Sequence, residues 1–155
     1  MIEVEIEDGA WTSALPDAVA VAERAGLAAL DQIAPADDAD EPGVVVLLTS
    51  DEAMAELSQR FRGKAGPTNV LSFPASANPE NHLGDLALAH GVCAREADEQ
   101  GKTLDQHLSH LVVHGVLHLL GYDHETDGEA EAMEALERSI LESLGVPDPY
   151  ASERS

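Results

Sequence analysis

The sequence predicts a single α+β domain with about four strands in a mixed sheet, helices packed on that sheet, and one buried helix that carries histidines. Segments with strand-like patterns interleave along the chain with segments of helical periodicity. The length of 155 residues suits one compact domain, and the apolar fraction of 44% is large enough for a hydrophobic core. We therefore expect one domain over residues 1–155.

Four segments with alternating or β-branched apolar residues are predicted strands: residues 2–6, 43–48, 69–73 and 82–89. In the first, apolar residues alternate with glutamates, as in a strand with one buried face. The second is a continuous apolar run, which suits a strand covered on both faces. The acidic segment at residues 35–42 is rich in Pro and Asp, and it is predicted to be a surface loop.

Five segments with helical periodicity are predicted helices: residues 17–33, 51–61, 91–100, 103–120 and 126–144. The fourth and fifth begin with capping boxes, Thr103 with Gln106 and Thr126 with Glu129, in which side chains satisfy the first free amides. The last helix presents an apolar stripe of Met133, Leu136, Ile140 and Leu144.

The charge balance limits the kinds of nucleic-acid contact that are possible. The chain has 30 acidic residues against 8 Lys and Arg, a formal net charge of −22. A protein that binds nucleic acid along a broad basic groove has the opposite balance. Any contact with RNA or DNA must therefore be local and depend on a metal ion or a few cations.

Neither the N-terminus nor the apolar runs of the sequence indicate a membrane or an export route. The N-terminus is acidic and alternating, unlike a signal peptide, and the apolar runs are too short to span a bilayer. The single cysteine, Cys93, permits no internal disulfide and no cysteine-based zinc site, and it is expected to fill the core. We expect a cytoplasmic protein without membrane contact.

Four of the seven histidines lie on one predicted helix: His107, His110, His114 and His118. At about 100° per residue they fall within an arc of about 80°. The rest of this helix is almost wholly apolar, which predicts that it is buried. Buried imidazoles need partners, and a metal ion satisfies several of them at once.

His114 and His118 are one helical turn apart, and a glycine stop at Gly121 allows His124 to return as a third ligand. Three neutral histidines leave one tetrahedral position for water, which is typical of a catalytic zinc site. Zn²⁺ lowers the pKa of that water to about 7. The other two histidines of the helix, His107 and His110, are interpreted as supporting or loop-facing groups.

Three of the eight basic residues, Arg60, Arg62 and Lys64, lie within five positions of one another. On an acidic protein, such a cluster can hold phosphate at one place. Arg62 is the best candidate, since its guanidinium matches phosphate oxygens and stays charged. On composition alone, a solvated turn with chance cations explains the cluster equally well.

Residues 114–124 (HGVLHLLGYDH), 61–74 (FRGKAGPTNVLSFP) and 83–89 (LGDLALA) together resemble the YbeY-type rRNA maturation endoribonucleases. The resemblance implies an α+β domain with one zinc ion on His114, His118 and His124. It also implies cleavage of single-stranded RNA in 3′-end maturation of small-subunit (16S) rRNA and in ribosome quality control. The expected partners are precursor rRNA, the small ribosomal subunit and its assembly factors. Arg62 corresponds to the family's functional arginine, so Arg62 and His114 are the predicted catalytic residues.

Two other functions remain open on the sequence. Zinc could staple the last two helices of a non-catalytic ribosome-assembly factor, or the site could belong to a metal hydrolase that acts on peptides or esters. Zinc proteases of the HExxH type carry a glutamate directly after the first ligand as general base. This chain has Gly115 there, which counts against peptides.

Overall fold

The computed structural model describes residues 2–31, 43–62, 70–74, 82–119 and 127–146. In chain order, the elements are β1 (Ile2–Ile6), α1 (Ala10–Ala14), α2 (Ala18–Asp31), β2 (Gly43–Thr49), α3 (Asp51–Arg62), β3 (Val70–Pro74), β4 (His82–Ala89), α4 (His90–Glu99), α5 (Leu104–Leu119) and α6 (Asp127–Ser143). The predicted strands and helices are confirmed within the described residues, with ends that agree to within two residues. The predicted loop at 35–42, the capping box at Thr126 and His124 lie outside the described residues.

The strands form one mixed four-stranded sheet in the order β1-β2-β4-β3. The β1–β2 and β2–β4 pairs are parallel, and β3 runs antiparallel to β4. A parallel pair needs a crossover, and α2 lies between β1 and β2 in the chain, as α3 does between β2 and β4. One mixed four-stranded sheet with helices packed on it confirms the predicted α+β class.

The two faces of the sheet bury cores of unequal size. Alternate residues of the central strands, such as Val46 and Leu88, contribute to a large core with α2, α5 and α6. Leu71, Ala87 and Met54 belong to a smaller core on which α3 packs. Because α5 lies within the large core, ten of its sixteen residues are buried, as its apolar composition predicts.

Side-chain caps fix where two of the helices begin. The Ser50 hydroxyl accepts a hydrogen bond from the Ala53 amide at 3.1 Å and thereby starts α3. At the start of α5, the Thr103 amide donates to Gln106 Oε1 at 3.2 Å, and the Gln106 amide donates to the Thr103 hydroxyl at 3.4 Å. This reciprocal pair confirms the predicted capping box.

The short helix α1 was not predicted. It begins where Asp8 Oδ1 accepts a hydrogen bond from the Ala10 amide, and it places Trp11 in the large core. The Trp11 indole N–H donates to the Thr49 carbonyl at 3.0 Å. Five residues are too few for a helical period to show in the sequence, so periodicity does not predict this helix.

Within the residues that the structure describes, no helix combines the length and apolar character that crossing a bilayer requires.

Candidate metal centre

Helix α5 carries the histidine row into the interior because one glycine lets it lie close to the sheet. A Cβ atom on Gly115 would lie 2.7 Å and 2.9 Å from the two methyl carbons of Leu86 on β4. The position after His114 therefore has no room for a glutamate side chain. The absence of an HExxH base thus has a steric reason in this fold.

His114 and His118 point ring nitrogens at each other from adjacent turns of α5. Their Nε2 atoms are 3.0 Å apart, and the ring planes stand at 78° to one another. Two imidazoles on one tetrahedral zinc ion, with Zn–N bonds of about 2.0–2.1 Å, hold their nitrogens about 3.3 Å apart. A slightly larger separation of the two Nε2 atoms would therefore accommodate a zinc ion. Neutral imidazole is also a ligand that zinc prefers.

A buried carboxylate from α6 supports the same row. The side chain of Glu137 is 0% exposed, and its two oxygens contact two histidines of α5. Glu137 Oε1 lies 2.5 Å from His114 Nδ1, and Oε2 lies 3.4 Å from His110 Nε2. One carboxylate thus joins α6 to two successive turns of α5.

Among the described residues, His110, His114 and Glu137 form a group that could itself hold a metal ion, since one ligand atom from each lies within 4.8 Å of the others. The separation of 2.5 Å between His114 Nδ1 and Glu137 Oε1 is shorter than the spacing of about 3.3 Å between two ligands of one zinc ion. The two atoms are therefore placed as a hydrogen-bonded pair and not as two ligands of one ion.

His107 lies at the start of the row and has a carboxylate of its own. Its Nε2 atom is 2.9 Å from Glu96 Oε1 on α4, and its side chain is 3% exposed. Burial lowers the pKa of His107, and the hydrogen bond to Glu96 only partly offsets that effect. His107 is therefore a structural histidine paired with a neighbouring helix. Its ring centroid lies 6.3 Å from that of His110.

The structure brings together some of the predicted site residues and leaves others outside its description. His114 and His118 converge as the spacing predicts. Arg62 is the last residue of α3, and His124 lies outside the described residues. Glu137 was missed, although one signal was present: it is a charged residue within the apolar stripe between Met133 and Ile140.

Fold and site together define a class: a small α+β protein with converging histidines on a buried helix and a carboxylate behind them. The family model "Endoribonuclease YbeY" matches residues 10–145. Two curated proteins named Endoribonuclease YbeY are similar over almost the whole chain. That of Maricaulis maris is 50% identical, covering 98% of this chain and 92% of its own length. That of Rhodopseudomonas palustris strain CGA009 is 52% identical, covering 97% and 81%.

A solved structure also resembles the chain. The solution structure of TM1509 from Thermotoga maritima matches with a TM-score of 0.59 and 26% identity, covering 100% of this chain and 97% of that one. The chain belongs to the YbeY endoribonuclease family, and the resemblance carried by residues 61–74, 83–89 and 114–124 is confirmed.

Proposed function

We propose that the chain, as one domain over residues 1–155, is a zinc-dependent endoribonuclease that cleaves single-stranded RNA. The observation that carries this proposal is the approach of His114 Nε2 to His118 Nε2 at 3.0 Å, in a chain whose relatives are named endoribonucleases. His124 would complete the three ligands. The expected substrate is precursor 16S rRNA in the cytoplasm, with the small ribosomal subunit and its assembly factors as partners.

The metal preference follows from the ligands. Three imidazoles suit zinc, and they also accept nickel, copper or cobalt, so metal supply decides among these ions. When bound, zinc would act as a Lewis acid and lower the pKa of a water molecule to about 7. The chain's own part is to present the lone pairs of His114 and His118 on one side of α5, in a helix whose position the large core fixes.

Arg62 is proposed to bind the phosphate of the scissile bond. A guanidinium donates two parallel hydrogen bonds to phosphate oxygens, and it stabilises the charge that builds on the phosphate during attack. In a protein of net charge −22, one local cation would also decide where the RNA backbone can approach.

A non-catalytic zinc staple is the other function to be tested. The close packing of α5 against α6 through Glu137 would suit a structural role for the ion. Peptide hydrolysis is less well supported, since Gly115 has neither a base nor room for one.

The test compares four variants with the wild type on a labelled precursor rRNA fragment and on its duplex form. Arg62→Ala should keep its zinc and its melting temperature, and it should cleave the single strand about a hundredfold more slowly. Arg62→Lys should recover part of the rate, since an ammonium keeps the charge but loses the paired contact. Arg24→Ala, which removes an exposed arginine from α2, is the matched control and should cleave normally.

The His118→Ala variant distinguishes a zinc-dependent enzyme from a non-catalytic protein in which zinc acts as a structural staple. The enzyme predicts loss of zinc and of cleavage in a protein that stays folded. The staple predicts that His118→Ala unfolds α5 and α6, while Arg62→Ala has no effect on any measured quantity. If the Arg62→Ala protein cleaves RNA at the wild-type rate, Arg62 has no part in catalysis.

A further inference from the structure

Glu137 has contacts that its position in the sequence does not explain. It sits on the buried side of α6, where its neighbours in the stripe, Met133 and Ile140, are apolar. A fully buried carboxylate is costly unless it is hydrogen-bonded, and an apolar side chain would fill the same space without that cost. The position therefore carries a carboxylate for a reason other than packing.

The geometry points to a positioning role: we propose, on the basis of the zinc site proposed above, that Glu137 holds His114 in the tautomer and orientation that metal binding requires. Glu137 Oε1 faces Nδ1 of His114, while Nε2 of the same ring faces His118. A carboxylate oxygen accepts, so Nδ1 carries the hydrogen and donates it. Nε2 then carries a lone pair, which faces His118 Nε2 at 3.0 Å.

His110 has a second part in this arrangement. Its Nε2 lies 3.4 Å from Glu137 Oε2, one helical turn before His114. With one oxygen held by His110 and the other by His114, the carboxylate cannot rotate away without losing both contacts. Histidines that bind a metal commonly donate their other ring hydrogen to a carboxylate. Loss of such a partner weakens metal binding by about 10–100-fold.

His110 and Glu137 are thus assigned as supports of the ligand His114, and the three residues together are not the ligand set. The two assignments differ in what His110 does. As a support, His110 can be replaced at a modest cost in zinc affinity. As a ligand, it would be needed for stoichiometric binding in the same way as His114.

The first measurement needs no variant. Long-range proton–nitrogen correlation spectra of the zinc-free wild-type protein report which ring nitrogen of His114 carries hydrogen. We expect hydrogen on Nδ1. A His114 ring that carries its hydrogen on Nε2 would overturn the proposal.

The second measurement is the zinc dissociation constant, obtained by competition with a coloured chelator. Glu137→Gln keeps the size of the side chain but loses the charge, and it should weaken zinc binding about 10–100-fold. His110→Gln should weaken it by less. Glu131→Gln, an exposed change on the same helix, is the control and should bind as the wild type does. Wild-type affinity in Glu137→Gln would contradict the positioning role, as would loss of stoichiometric binding in His110→Gln.

These outcomes can be told apart from failure of the proposed zinc site. If His118→Ala binds zinc as tightly as the wild type, the ligand set itself is wrong. If His118→Ala loses zinc and Glu137→Gln does not, the ligands stand and only the role of Glu137 fails.

Discussion

Gly115 on α5 faces Leu86 on β4 so closely that a Cβ atom would lie 2.7 Å from a Leu86 methyl carbon. Leu86 is fully buried, so it has little space into which to move. Overpacking of this kind costs about 1–3 kcal/mol, while alanine is favoured over glycine in a helix by about 1 kcal/mol. We therefore expect Gly115→Ala to lower the free energy of unfolding by up to about 2 kcal/mol.

Gly128→Ala is the matched control for that change. Gly128 lies in α6, and a Cβ atom there would meet nothing within 4 Å. This substitution should leave the free energy of unfolding unchanged or raise it, since only helix propensity acts. Urea denaturation of both zinc-free variants measures the difference. A Gly115→Ala protein more stable than Gly128→Ala would show that α5 has room to move from the sheet.

His107 makes stability depend on pH. Burial lowers its pKa in the folded protein, whereas the unfolded chain has the ordinary value of about 6.5. The unfolded state therefore binds more protons below that pH, and the contribution to stability falls as the pH drops from about 6.5 toward the folded pKa. His107→Gln should lose less stability than the wild type between about pH 7.5 and 5.5.

The comparison is made by denaturation with a chelator present, so that zinc release does not add to the pH effect. The other histidines are shared by both proteins, and their contributions cancel in the difference. If His107→Gln and the wild type lose equal stability, His107 does not control this pH dependence.

Cys93 should be chemically inert in the folded protein. It is fully buried in the large core, and burial raises the pKa of its thiol, with the charges of Glu96 and Asp51 adding to the effect. Since the thiolate is the reactive form, iodoacetamide at mildly alkaline pH should label Cys93 only after denaturation. Mass spectrometry of native and urea-treated protein measures this. Labelling of the native protein as fast as that of a free thiol would contradict its burial.

Salt should stabilise the protein and affect RNA binding only weakly. A net charge of −22 makes the folded chain repel itself, and ions screen that repulsion, so the melting temperature should rise with moderate salt. Each phosphate contact on a single strand contributes about −0.7 to the slope of log affinity against log salt. One or two contacts, Arg62 among them, predict a slope of about −1. A slope several times steeper would indicate a broad basic interface.

Local patterns predict most of this fold because its elements are defined locally. The hydroxyl and amide of the Thr103–Gln106 box start α5, and the alternation in β1 marks its buried face. Helix α1 was not predicted because it depends on a tertiary contact, the hydrogen bond from the Trp11 indole to the Thr49 carbonyl, which local patterns do not show.

The site was predictable only in part, for a similar reason. His114 and His118 share a helix, so their spacing alone predicts that they converge. Glu137 lies 23 residues beyond His114 on another helix, and only the packing of α6 on α5 brings the two together. A charged residue in an apolar stripe is a signal that such a partner exists, but it does not identify the partner.

The position of the metal tests the central claim most directly. Crystals of the zinc-loaded protein, with anomalous diffraction data collected on both sides of the zinc absorption edge, locate the ion without assumptions about its ligands. We predict a zinc peak about 2.0–2.1 Å from Nε2 of His114 and of His118, with His124 as the third protein ligand. A peak at His114 Nδ1, between His110 and Glu137, would contradict both the ligand set and the role assigned to the carboxylate.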